Sequence, residues 1–163
     1  LVTSCDVTLA QFVLNCLDED ERVALASMGD PKRPGAGVWT RDAVDEYAVG
    51  LVAPGCDVWG DIRIYGEGGH SPADAEHIAR YCPARTLADV AVKRKIVGQY
   101  VDTAKIRDNA AVRLRSAEDR PSSRDLHEWS RAQFEATILE TPVLLLASLY
   151  DDRPGYRDGW RLR

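Results

Sequence analysis

From Leu9 onward the apolar positions recur every three to four residues, so that Phe12, Val13, Cys16 and Leu17 share one helical face. Thr8 followed by Gln11 has the spacing of a capping box, which satisfies the first free N–H groups of a helix. The pattern predicts a helix over residues 9–28, stopped by Gly29-Asp30-Pro31 and followed by a loop through Pro34, Gly35 and Gly37. The period then falls to two. Val38 to Arg41, Glu46 to Val52 (Tyr47, Val49 and Leu51 alternating) and Asp61 to Tyr65 (Ile62 and Ile64 alternating) read as short strands. Gly50, Pro54-Gly55 and Gly60 supply turns or bulges, which predicts an antiparallel β meander over residues 38–65.

Helical spacing returns at Ser71-Pro72, a cap followed by proline at the first helical position, and predicts a short helix to Tyr81. Cys82-Pro83 interrupts it, because a residue before proline is pushed out of the α region. A longer helix follows to about residue 109, with Leu87, Val90, Val97, Val101 and Ala104 on one face and Gly98 as its weak point. Pro121-Ser122-Ser123 makes a break. Residues 125–140 have a helical pattern through Leu126, Trp129, Phe134 and Ile138, and Thr141-Pro142 opens a separate last helix over residues 143–150. The tail, residues 151–163, is turn-rich, and Tyr156 and Trp160 predict that it folds back onto the body. The expected architecture is a single domain over residues 1–163 of the α+β class: an N-terminal helix, a small three-stranded antiparallel sheet, and several helices packed on one face of it.

Composition agrees with a soluble globular chain: 163 residues, 45% hydrophobic and 29% charged. A chain of this length buries about 68–70% of its unfolded surface and needs no disulfide or structural metal to hold a core. The net charge of -5 argues against coating nucleic acid or an anionic membrane with the whole surface. Residues 1–17 lack a basic region and run into Asp18-Glu19-Asp20-Glu21, unlike a secretory signal. The longest uncharged apolar stretch, Thr141 to Tyr150, falls short of the roughly 18 residues that a spanning helix needs. A cytoplasmic protein without membrane association is expected. Cys5, Cys16, Cys56 and Cys82 form no Cys-x-x-Cys pair, so reduced thiols are expected, with no metal and no cofactor.

Three patterns bear on chemistry. Asp74 and His77, with Tyr81 one turn further, share a helical face, and with His70 nearby they have the residue types of a metal site or an acid/base pair. The plainer alternative has Asp74 favouring the positive end of its helix while His77 packs at the helix edge. Neither G-x-S-x-G nor H-E-x-x-H occurs, so no nucleophile motif or zinc-protease motif accompanies the pair, and no catalytic residue is assigned. Gly66-Glu67-Gly68-Gly69 before a helix lacks the lysine of a phosphate-binding loop. Charge is uneven: residues 1–79 carry 5 basic and 14 acidic side chains, residues 80–115 carry 9 and 3, and residues 116–163 carry 7 and 9. The basic helix around Lys93, Arg94 and Lys95 is suited to phosphates or to pairing with the acidic first helix, in the same chain or a partner copy. Arg94 falls on the edge of the apolar stripe of its helix, and Asp20 continues the apolar face of the first helix, so Arg94 is expected to pair with Asp20 or a neighbouring acid of that helix, within the chain or across a dimer, the plainer alternative being an exposed Arg94. The candidate interaction residues are therefore Asp20, Asp74, His77, Arg80, Lys93, Arg94 and Lys95.

Ala73-Asp-Ala-Glu-His-Ile-Ala-Arg80, Pro83-Ala-Arg-Thr-Leu87 and Lys93-Arg-Lys-Ile96 together resemble the central signature of a small actinobacterial and actinophage family recorded as a domain of unknown function, DUF6221. Leu14 to Glu21 is similar to that family's acidic N-terminal helix, and Leu144 to Tyr156 with Trp160 is similar to its C-terminal block. Cys82 stands where many relatives carry aspartate, and no cysteine follows it where many have a pair able to bind metal. The resemblance implies a host range and no activity. The leading expectation is a non-enzymatic accessory or regulatory protein acting by protein–protein contact, through an unknown partner or self-association. The alternative is a nucleic-acid-associated regulator using the basic helix over residues 83–109, and a small metal-dependent hydrolase around Asp74 and His77 comes third.

Overall fold

The computed structural model describes residues 8–43, 49–53, 62–64, 71–116 and 122–162. Four helices dominate it: α1 (Leu9–Ala26), α2 (Pro72–Arg80), α3 (Pro83–Ser116) and α4 (Ser123–Ser148), of 18, 9, 34 and 26 residues. The strands β1 (Thr40–Ala43), β2 (Val49–Ala53) and β3 (Ile62–Ile64) have 4, 5 and 3 residues. They pair antiparallel in the order β1-β2-β3, with Thr40 opposite Val52 and Leu51 opposite Ile64. The expected α+β architecture, with several helices packed on one face of a three-stranded sheet, is overturned: the protein is predominantly helical. Every buried apolar side chain among those described belongs to one of the four helices or lies within two residues of a helix end, as Cys82 and Tyr150 do.

Contacts divide the chain into two compact units, Asp18–Ala91 and Leu1–Leu17 with Val92–Arg163. In the first unit α2 lies beside β1 and β2. Ser71 caps α2, its Oγ accepting from the Asp74 N–H at 3.1 Å, and Ala75 is fully buried. The loop after α1 turns on Gly29, Gly35 and Gly37, all with positive φ. Gly37 is the most constrained of them: a Cβ there would lie 2.9 Å from Met28 Cγ and 3.3 Å from the Ala84 nitrogen. The same close approach lets the Ala84 N–H donate to the Gly37 carbonyl at 3.0 Å, which satisfies a donor in the first turn of α3.

In the second unit α1 begins with Thr8, whose Oγ1 accepts from the Gln11 N–H at 3.2 Å. The Gln11 side chain donates to Asn15 Oδ1 at 2.8 Å instead of reaching back, so half of the expected capping box is made. Phe12, 3% exposed, meets the tail: its ring centroid is 5.9 Å from that of Tyr156 and 5.1 Å from that of Trp160. Tyr156 and Trp160 meet edge to face, and Arg157 stacks over the Trp160 ring. Gly155 turns the chain there at φ +95, and its Cβ position faces the Phe12 ring.

Helix limits differ from expectation by more than two residues in two places. α3 continues to Ser116, past residue 109, because Ala110, Ala111 and Leu114 are strong helix formers and nothing in that stretch breaks the helix. Gly98 lies inside it without interrupting it. Residues 125–140 and 143–150 are not two helices, since α4 runs through Pro142. Proline removes one N–H donor and leaves the Ile138 carbonyl without its usual partner, at a cost of about 3 kcal/mol. Burial of Val143 and Ala147 beyond the proline, both at 0% exposure, offsets that cost and holds the helix in one piece.

Candidate interaction surface

The residues singled out from sequence on α2 are engaged locally. The Ser71 hydroxyl donates to Asp74 Oδ2 at 2.7 Å, and Asp74 sits in the first turn of the helix, where its negative charge is favoured. His77 is exposed and stacks against Tyr81, their rings 4.8 Å apart, while Arg80 pairs with Glu76 at 3.1 Å. Asp74 is thus tied to the helix cap and His77 to a ring partner four residues on. Among the described residues no group of three or more His, Cys, Asp or Glu side chains could hold a metal ion. Gly66 to His70 and Trp59 lie outside the described residues.

On α3 the basic residues do not form one stripe. At about 100° per residue, Lys93, Arg94 and Lys95 necessarily face three directions. Lys93 and Arg94 are half-buried and Lys95 is exposed. Further basic side chains of this helix are matched with carboxylates: Arg85 with Asp89, Lys105 with Asp102 and Arg107 with Asp108. Asp20, on α1, is half-buried. Arg113 reaches across to α4, where Nε donates to Asp125 Oδ1 at 3.0 Å and Nη2 to Glu128 Oε2 at 2.8 Å. The Ser122 hydroxyl and the Arg113 guanidinium hold the Asp125 carboxyl below its usual value. A hollow of about 240 Å³ beside the start of α1 is lined by Thr8, Tyr100, Lys105 and Asp108 among others. Burial, and then the charge of Glu140, pushes the Tyr100 phenol up.

The feature not foreseen from sequence lies on α4. With Leu126 at zero and about 100° per residue, the buried Ala132, Ala136, Val143 and Ala147 fall near 240°, 280°, 260° and 300°. Phe134, Ile138, Leu145 and Leu149 fall near 80°, 120°, 100° and 140°, on the opposite side. These four are 68%, 54%, 53% and 62% exposed. The two sets have the same spacing, displaced by two residues, so α4 carries a ribbon of small side chains inward and a ribbon of large ones outward. Of Leu126, Trp129, Phe134 and Ile138, whose spacing marks the segment as helical, Phe134 and Ile138 lie in the outer ribbon, Leu126 is exposed, and Trp129, near 300° and 36% exposed, stands in line with the inner set. The signal that distinguishes inside from outside is the parallel series of alanines, which a search for large apolar residues passes over. The Arg131 side chain, 80% exposed, borders the outer ribbon near 140° and pairs with Glu135, and Asp151 and Asp152 follow the helix, both exposed.

No described helix is long and apolar enough to cross a membrane, so the outer ribbon is a face rather than a span. Residues 6–162 match a family of unknown function (DUF6221), which covers nearly the whole chain. No curated protein and no solved structure matches it.

Proposed function

The chain belongs to that family of unknown function, and from this premise we propose that it is a cytoplasmic accessory or regulatory protein of an actinobacterium or its phage that works by protein–protein contact through the outer face of α4. The single observation that carries this reading is the ribbon Phe134, Ile138, Leu145 and Leu149, more than half exposed at every position. Four large apolar side chains on one face expose on the order of 400 Å² of apolar surface, within the range of about 300–600 Å² of a typical monomer's largest patch, which is often functional. The host range rests on the sequence resemblance described above. Two features favour protein over nucleic acid as the partner: the scattered, carboxylate-paired basic residues of α3, and the acidic net charge.

An affinity pull-down from a lysate of the native host, with and without nuclease, tests this. The expected result is protein retained by the wild type in both conditions and lost with Phe134→Glu and Leu145→Glu, substitutions at exposed positions that leave folding intact. Retention that disappears with nuclease, or that survives both substitutions, would overturn the reading.

A further inference from the structure

The outer ribbon is symmetric about its own middle. Phe134 and Leu149 are equidistant along the chain from the bond between Thr141 and Pro142, and so are Ile138 and Leu145. Arg131 and Asp152 stand at the next matching distance, a cation before the ribbon and an anion after it. Two copies of α4 laid antiparallel side by side, with a two-fold axis between them at the level of that bond, therefore place Phe134 on Leu149 and Ile138 on Leu145, each twice, and bring Arg131 to the end of the partner helix, where Asp152 follows. An interface of this kind presents the same patch from both partners, which is what two-fold symmetry demands. A parallel pairing would set Arg131 against Arg131 and Asp152 against Asp152. Resting on the protein-contact reading above, we propose that the occupant of the α4 outer face is a second copy of this chain, docked antiparallel through Phe134, Ile138, Leu145 and Leu149, with Arg131 and Asp152 setting the direction.

The area sets the strength. Two ribbons bury about 800 Å² between them, below the roughly 1,200 Å² of a standard stable interface, so the dimer is weak and concentration-dependent. Opposite charges at the ends select the antiparallel arrangement and disfavour the parallel one.

Sedimentation velocity across a concentration series tests this, with circular dichroism confirming that each variant is folded. Wild type is expected to pass from monomer to dimer between about 1 µM and several hundred µM, as suits an interface of this size. Arg131→Glu alone and Asp152→Arg alone should each weaken association by about 10-fold or more. An equimolar mixture of the two single variants restores both cross-pairs, and should associate within about 3-fold of wild type. Phe134→Glu should abolish association with or without the charge changes. A wild type that stays monomeric throughout, or a mixture no better than its separate components, would overturn the proposal. A monomeric wild type that still retains protein in the pull-down, lost with Phe134→Glu, would refute self-pairing while leaving the protein-contact reading standing.

Discussion

Phe12 and Phe134 are the two phenylalanines of the chain, and the fold uses them in opposite ways. Phe12 is 3% exposed and enclosed by Tyr156 and Trp160 of the tail; Phe134 is 68% exposed on α4. Both occur in amphipathic helices, so hydrophobicity does not separate them. What covers each one does. The tail turns at Gly155 and closes in a short 3-10 helix, Asp158–Trp160, which brings two further rings onto a large one. On α4 the inward positions are Ala132, Ala136, Val143 and Ala147, and small side chains let a helix axis come close to whatever it packs on. Once those residues occupy the inner face, the larger ones two positions along each have only the outer face.

The largest expected effect tests the enclosed side of this contrast. Phe12→Ala should cost about 3–5 kcal/mol in a denaturant titration, because it opens a cavity and removes both tail contacts. A loss below about 1 kcal/mol would show that the tail is not held by this ring. Ala136→Leu comes next: overpacking the inner face of α4 should cost about 1–3 kcal/mol, and a neutral result would mean that the alanine ribbon has room to spare. Phe134→Ala should change folding stability by no more than about 0.5 kcal/mol at dilute concentration, because the ring is already in water. A cost comparable with that of Phe12→Ala would erase the distinction between the two regions.

The smallest effect concerns how α4 is held where its large residues do not help. Its first turn is fixed by polar contacts of Asp125 with Ser122 and Arg113. The Asp125 carboxyl is held below its ordinary 3.8 in the folded protein, so its ionised form is favoured by folding. That contribution is fully present above the ordinary value and is lost as pH falls through the lower folded value. Thermal midpoints of wild type and Asp125→Asn should therefore differ more at neutral pH than in strong acid, where the difference should close. Parallel pH profiles would remove Asp125 from the account.

Much of the helical layout was legible because it is written in local chemistry. Thr8 caps α1, Ser71-Pro72 opens α2 and Ser122 caps α4 through contacts within a few residues, and Pro83 stands at the start of α3, whose Ala84 N–H is satisfied from farther off by Gly37. The errors fall where local preference met a non-local counterweight. Pro142 taken alone ends a helix, yet buried Val143 and Ala147 carry α4 through it. The alternation around Ile62 and Ile64 suggested a sheet that organises the fold, whereas the strands are short and the described core is helical. Asp74 and His77 are not among these errors, since what they meet, the cap at Ser71 and the ring of Tyr81, is local.

Where most helices begin, which glycines turn the loop at Gly29, Gly35 and Gly37, and that α4 has apolar residues on more than one side can be read along the chain alone. Those properties depend on φ, on free N–H groups and on spacing along one helix, all of which are set within a few residues. Which side of α4 faces in, and that Phe12 meets Trp160 across most of the chain, follow from how distant segments pack. Burial is a relation between segments: an alanine ribbon and a leucine ribbon are both apolar in sequence, and the space left by neighbouring elements selects the one that fits.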